Sequence, residues 1–281
     1  MNDLALSRPS LGSIAALAVN AQNNPNTARA YGSAIQRYLE WHATQDEPFS
    51  RRTVTSYLRT IESTSASNQA LAALRSLARE AYANGMIPDT VAYGITSIKG
   101  IRSTGKKSGN WLDQPGVVRL LQAAEKPRDL AILHLLTFGA LRREEVAGLQ
   151  CEQLTQREGR WVLLDVKRKR NRVQTVPLLE TTAKVLQAYI GKKTGPMFDI
   201  TSRRMYNIVR DLALRAGIEN LGCHDLRRTG AAMMRRAGAP LEKIQAHLGH
   251  KSILTTTIYL QDVDALANSA VDYLPLVGDN T

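Results

Sequence analysis

Apolar positions recur at helical spacing along most of this chain, and the pattern changes character only once. Tyr31, Ile35, Tyr38, Leu39 and Trp41 form one stripe through NPNTARAYGSAIQRYLEW, for which Asn26 or Thr27 is the expected cap. Val54, Tyr57, Leu58 and Ile61 form a second through TVTSYLRTIES. Leu71, Leu74, Leu77, Ala81 and Tyr82 form a third, stopped near Gly85. Nothing alternates with period two here, so an all-helical N-terminal domain over residues 1–98 is predicted. Residues 99–110, KGIRSTGKKSGN, have no apolar period and read as a basic linker able to follow a phosphate backbone. Beyond it, residues 114–125 and 127–149 are expected to be helices, the second long and buried. The β-branched runs 160–166 and 173–177 then predict two strands joined by a basic turn. From Glu180 the helical pattern returns, with breaks at Gly195, Gly222, Gly238 and Gly249. The expected fold is mainly α, in two domains, the second (111–281) carrying a small β-hairpin or sheet.

Charge changes the picture more than composition does. The 281 residues hold 37 Lys and Arg against 25 Asp and Glu, a net charge of +12. Residues 1–100 contribute nine basic and seven acidic side chains, and the rest contribute 28 and 18. That asymmetry suits a polyanionic partner, nucleic acid first, although a well-solvated basic surface gives the same count. No apolar run approaches the ~20 residues of a membrane span, and the richest stretch, 130–141, contains His134. The first residues, MNDLALSRPS, lack the basic-then-apolar order of a secretory signal. Cys151 and Cys223 are too few and too far apart for a disulfide framework or a four-cysteine zinc site. A membrane protein and a secreted scaffold are therefore set aside, and a reducing, cytoplasmic setting is expected.

Four clusters carry candidate chemistry. In ALRREEVAGL, Arg142 and Glu145 stand three apart in an apolar stretch, where a charge needs a partner or a task. In VKRKRNRVQTVPL, Lys167, Arg168, Lys169, Arg170 and Arg172 crowd the turn between the two strands. Most such runs are solvated faces, yet one lysine at a hairpin tip could reach a phosphate. In HDLRRT, His224 and Arg227 stand three apart at a helix start, where backbone N–H groups also favour an anion. In HLGHKSILTTTIYL, His250 follows the helix stop at Gly249, and Tyr259 lies about two turns into the next helix. A metal site built on His224, His247 and His250 is disfavoured by the absence of HExxH and of nearby carboxylates. His42, His134 and His247 read as structural. Cys223 adjoins His224, but neighbours on a helix do not face each other, and no glycine loop for ATP phosphates is present.

Two arginines, two histidines, a lysine and a tyrosine share a physical logic. Phosphoryl transfer asks a protein mainly to position groups and stabilise charge on non-bridging oxygens, which the planar arginine fork does well. A tyrosine hydroxyl can attack phosphorus covalently, and a lysine can protonate a departing 5′-hydroxyl without any metal or other cofactor. In order and spacing these boxes resemble the tyrosine recombinases, the lambda-integrase and Xer type of site-specific recombinase, over residues ~111–275. LRREEVAGL, the basic hairpin ending in VPL, HDLRRT, LGH and a tyrosine nine residues later are all present.

The resemblance implies that Tyr259 attacks the scissile phosphate to leave a 3′-phosphotyrosine. It implies Lys169 as the general acid, by alignment on Val176–Leu178, with Lys167 kept as a second choice. Arg142 and Arg227 would hold the non-bridging oxygens, His250 would add a hydrogen bond there, and His224 would act as base or donor. Glu145 matches an acidic residue that supports the first arginine. The resemblance further implies a SAM-like core-binding N-terminal domain and a homo-tetramer on double-stranded DNA with an inverted-repeat core site, with or without a second recombinase or an accessory protein. The tail stripe Val263, Leu266, Ala267, Ala270, Val271 and Leu274 would dock on a neighbouring protomer. Two departures stand out: FGALR replaces the more usual TGLR, and Arg168 and Arg170 replace the glycines that often flank the lysine. The alternatives are a type IB topoisomerase with the same catalytic groups and a catalytically idle DNA-binding protein.

Overall fold

The computed structural model describes residues 10–101, 111–168 and 172–260. The chain divides into two units, Met1–Lys106 and Lys107–Thr281. In the first, five helices are described: α1 (Leu11–Asn20), α2 (Pro25–His42), α3 (Arg51–Arg59), α4 (Thr64–Ala83) and α5 (Asp89–Thr96). The cap of α2 is Asn24, earlier than expected. Its side chain accepts from the N–H groups of Asn26 and Thr27, and Pro25 fills the first helical position, where a missing N–H costs nothing. Ser50 and Thr53 close a capping box on α3. The centre of the unit is α4, which buries Ala70, Leu71, Ala73, Leu74, Leu77, Ala78 and Ala81 against the other four helices. Two of those helices, α1 and α5, left no stripe to read, because each buries only two residues.

The second unit begins with α6 (Gln114–Gln122), α7 (Pro127–Thr137) and α8 (Arg143–Ala147), then a single 3-10 turn at Cys151–Gln153. Three antiparallel strands follow in the order β1 (Leu154–Arg157), β2 (Arg160–Arg168) and β3 (Arg172–Pro177). The unit continues with α9 (Glu180–Ile190), α10 (Ser202–Arg215), α11 (Cys223–Arg236), α12 (Leu241–Leu248) and α13 (Ile253–Leu260). The molecule is thus mostly helical with one small sheet. No described helix is long and apolar enough to cross a membrane.

Two expectations need correction. The helix predicted over 127–149 is two helices, and the break falls at the first arginine box. After α7 ends at Thr137, Gly139 approaches Leu135 so closely that a Cβ would lie 2.7 Å from the carbonyl oxygen, and Ala140 takes a left-handed φ of 46°. The break hides in the sequence because the turn is itself buried, with Ala140 and Leu141 fully covered. The second correction is β1, whose half-exposed LTQR has no apolar alternation and owes its strand form to pairing with β2.

The core of the unit runs through α7, where Ala131, Ile132, Leu133, Leu135 and Leu136 are fully buried. Helix α11 lies directly on it at Gly230, whose added Cβ would stand 1.9 Å from the carbonyl oxygen of Thr137. The predicted glycine breaks are observed: Gly222 precedes α11, Gly238 follows it, and Gly249 closes α12 in the left-handed conformation. The hairpin tip with Lys169, most of the linker (102–110) and the tail stripe beyond Leu260 lie outside the described residues.

Candidate active site

The site is built where α8 starts. Arg142 precedes that helix in extended backbone, so its N–H has no helical acceptor. Glu145, three residues on, supplies one: Oε2 accepts the Arg142 N–H at 2.8 Å, while Oε1 accepts from Arg142 Nη1 at 2.7 Å. The spacing noted in the sequence is therefore a helix cap, with the arginine side chain folded onto its own capping carboxylate. Glu145 is only 7% exposed. Two further guanidiniums share it: Arg168 Nη1 donates to Oε2, and Arg227 Nη1 lies 3.7 Å from the same oxygen. Three cations about one carboxylate leave a surplus of positive charge in a partly desolvated place, a setting made for an anion.

Arg227 sits on α11 and is almost wholly buried. Its Nη1 donates to the carbonyl of Ala140, and its Nη2 donates to that of Leu248 at 2.6 Å and lies 3.5 Å from His250 Nε2. His250 comes directly after the left-handed Gly249. Its Nδ1 lies 3.0 Å from the hydroxyl of Thr256, a buried residue of α13. A guanidinium can only donate and a hydroxyl can accept, so a neutral imidazole with its proton on Nδ1 satisfies both sides. Burial, then the charges of Arg227, Arg142, His224 and Arg168, push the His250 pKa down to about 4. His224, in the first turn of α11, is also held below its ordinary value, by burial and then by Arg227 and Arg228.

Arg142 lies on the boundary of two clefts. One, of about 480 Å³, is lined by Arg142, Arg143, Tyr206, Arg210, His224 and Arg227. At its Tyr206 wall the guanidinium of Arg143 stands over the ring at 5.8 Å, and that of Arg203, outside the lining, stands 5.6 Å from the ring centre. The other, of about 640 Å³, is lined by Arg142, Arg168, Gln174, His250, Lys251 and Thr255. Of the six residues singled out in the sequence, Arg142, His224, Arg227 and His250 thus line adjoining clefts that share Arg142. Lys169 lies outside the described residues, one position past Arg168. Tyr259 lies on α13, one turn beyond Thr256, and only its backbone is described.

Arg168 is the residue the sequence reading missed. A basic run ordinarily marks a solvated face, yet Arg168 is 7% exposed. Strand alternation carries the signal: Val166 and Arg168 share the inward face of β2, and Lys167 between them points out. His247 and His134 are structural, as expected. His247 Nε2 donates to the Gly139 carbonyl at 3.0 Å, and His134 Nδ1 lies 3.3 Å from the Thr182 hydroxyl. Burial pushes the Cys223 thiol up to about 11, so it offers no thiolate beside His224. Among the described residues no group of three His, Cys, Asp or Glu is arranged to hold a metal ion.

Residues 110–265 match the phage integrase family. Among curated proteins, the tyrosine recombinase XerC of Thermodesulfovibrio yellowstonii is 28% identical over 265 residues, covering 84% of this chain and 86% of that one. Among solved structures, the XerH site-specific recombinase in a post-cleavage complex with palindromic difH substrate superposes with a TM-score of 0.73 at 18% identity, covering 90% of this chain and 81% of that one. A lambda integrase dimer bound to a COC′ core site gives 0.71 at 16% identity, covering 89% and 75%. These structural likenesses speak to the fold.

Proposed function

The chain belongs to the phage integrase family of tyrosine recombinases, and from that premise we propose how its residues divide the work of site-specific DNA cleavage and rejoining. The hydroxyl of Tyr259 attacks the scissile phosphorus and the P–O bond to the 5′ carbon's oxygen breaks, leaving a 3′-phosphotyrosine that conserves the bond energy for rejoining. Lys169 protonates the departing 5′ oxygen. Arg142 and Arg227 balance the charge gathering on the non-bridging oxygens, and His250, once the phosphodiester draws a proton onto its Nε2, donates a hydrogen bond there. His224, held neutral by its depressed pKa, can take the tyrosine proton. One observation carries this reading: a single buried carboxylate, Glu145, gathers Arg142 and Arg227 beside His250 and leaves their surplus charge facing the clefts.

The N-terminal helices supply a SAM-like core-binding domain (1–98), joined by the basic linker 99–110 to the catalytic domain (111–281). Four protomers work on double-stranded DNA carrying an inverted-repeat core site, with or without a second recombinase or accessory protein. The reaction takes place on cytoplasmic, nucleoid-associated DNA and uses neither metal nor nucleotide cofactor. The apolar stripe that follows Tyr259 in the sequence docks on a neighbouring protomer.

The deciding experiment incubates sheared genomic DNA of the source organism with the protein and with Tyr259→Phe, denatures each mixture, and sequences the DNA that stays attached. Adducts only with Tyr259, clustered at one inverted repeat, are expected. Scattered adducts would favour a relaxing topoisomerase, and tight native binding without any adduct would favour an idle DNA-binding protein.

A further inference from the structure

We infer that Arg168 is a positioning residue of this site, a second buried guanidinium that works in parallel with Arg227 to lock the segment carrying Arg142 onto the segment carrying His250. The inference deepens the strand-cleavage reading above and rests on it.

The two segments lie far apart in sequence, 139–145 running from the turn after α7 into α8 and 247–250 at the end of α12. Arg227 joins them by donating to the Ala140 carbonyl with Nη1 and to the Leu248 carbonyl with Nη2. Arg168 joins them again from another element. Its Nη1 donates to Glu145 Oε2, and its Nη2 donates to the His247 carbonyl at 3.2 Å. The oxygen it takes is the one that caps the Arg142 N–H, so Arg168 fixes the carboxylate on which the Arg142 side chain rests. The carbonyl it takes lies three residues before His250.

The turn between them also packs on this guanidinium. A Cβ on Gly249 would stand 3.6 Å from Arg168 Nε and 2.8 Å from Gln174 Oε1, while Gln174 Nε2 donates to the Ala246 carbonyl at 2.6 Å. The end of α12 is thus seated on two neighbouring side chains of the β2–β3 hairpin. With its side chain 4% exposed and both terminal nitrogens engaged, Arg168 is placed to act through Glu145 and the α12 turn, not by touching DNA. A lysine could not replace it. One ammonium is a point charge on a flexible stem, whereas the planar fork meets two acceptors in fixed directions.

The test compares the full-length protein with Arg168→Lys, Arg168→Met, Glu145→Gln and the double variant Arg168→Met with Glu145→Gln. The DNA probe is a duplex carrying the sequence recovered from Tyr259 adducts. At saturating protein, both Arg168 single variants should form adduct about tenfold or more slowly, while the dissociation constant for native DNA moves less than about threefold. On top of Glu145→Gln, the loss of Arg168 should cost less than about threefold, because both act through one carboxylate. Restoration of the rate by lysine would overturn the inference, as would a defect confined to DNA affinity or full additivity with Glu145→Gln. A protein-only readout separates this inference from the cleavage reading. In free protein, the guanidinium Nε–H resonance of Arg142 should be sharp, and it should broaden in both variants at temperatures where they remain folded. If the native protein forms no adduct, the cleavage reading fails while this resonance still decides the role of Arg168. An unchanged Arg142 resonance in both variants would overturn that role.

Discussion

Replacing Glu145 by alanine would leave Arg168 and Arg227 buried and charged without their shared counter-ion. Breaking a buried ion pair from one side costs about 3–5 kcal/mol, and the loss should appear in urea unfolding of the full chain. Glu145→Gln keeps an acceptor for the Arg142 N–H and should lose less. His250 supplies a second prediction at this scale. Its folded pKa of about 4 lies below the ordinary value of 6.5, so the unfolded chain takes up the proton first as the pH falls. Stability present above pH 6.5 is therefore lost as the pH drops toward 4. His224, His247 and His134 are shifted in the same direction and share the loss. Urea titrations across that range should show the decline, and His250→Gln should flatten it. A phosphodiester beside His250 adds the opposite charge and raises its pKa, so DNA binding near pH 6 should take up protons, measurable by calorimetry in buffers of different ionisation heat. At this scale the sequence was readable where short motifs bring residues to adjoining clefts, as with Arg142, His224, Arg227 and His250. Glu145 was readable only as a neighbour of Arg142. Its grip on Arg168 and Arg227 joins residues 23 and 82 positions away, and no local pattern encodes such a meeting.

Gly230 shows what decides the elements. With Thr137 O only 1.9 Å from the place of an added Cβ, Gly230→Ala must push α11 away from α7. Overpacking against backbone should destabilise the unit by about 3 kcal/mol or more, seen as a lowered melting temperature. Because α11 carries His224 and Arg227, adduct formation should fall with it. Element reading from sequence worked for α2, α3 and α4, whose apolar stripes face one core, and for the paired β2 and β3. It failed at α7 and α8, because Ala140 and Leu141 are as buried as the helices they separate, so the apolar pattern runs through the turn. It also failed at β1, whose stability is borrowed from β2. Conversely, the glycine stops at Gly222, Gly238 and Gly249 were legible because a backbone turn or a left-handed φ is a local demand.

At the scale of the molecule, each unit has its own core. One runs from Ile14 to Ile98, and the buried residues of the others all lie beyond Lys107. A fragment covering 107–281 should therefore fold with a single cooperative transition, checked by calorimetry. Residues 107–281 also carry most of the positive surplus, with 26 basic against 18 acidic side chains. The fragment should keep much of the salt dependence of DNA binding, with log K falling by about 0.9 per tenfold rise in salt for each phosphate neutralised. The mainly helical, two-part plan was legible from periodicity and charge. The partnership between hairpin and helix ends was not, because it is a property of tertiary packing.

The bonds that join Arg227 to Ala140, Arg168 to His247 and His247 to Gly139 span 87, 79 and 108 positions of chain. On the ribosome, Arg168 emerges long before the His247 carbonyl to which it donates, and Gly139 and Ala140 long before the side chains that bind their carbonyls. A nascent polypeptide ending before His247 has the basic charge of the site but lacks the α12 turn, His250 and Tyr259. The site therefore closes only after residues 247–250 have been made, well after the arginine box that they complete.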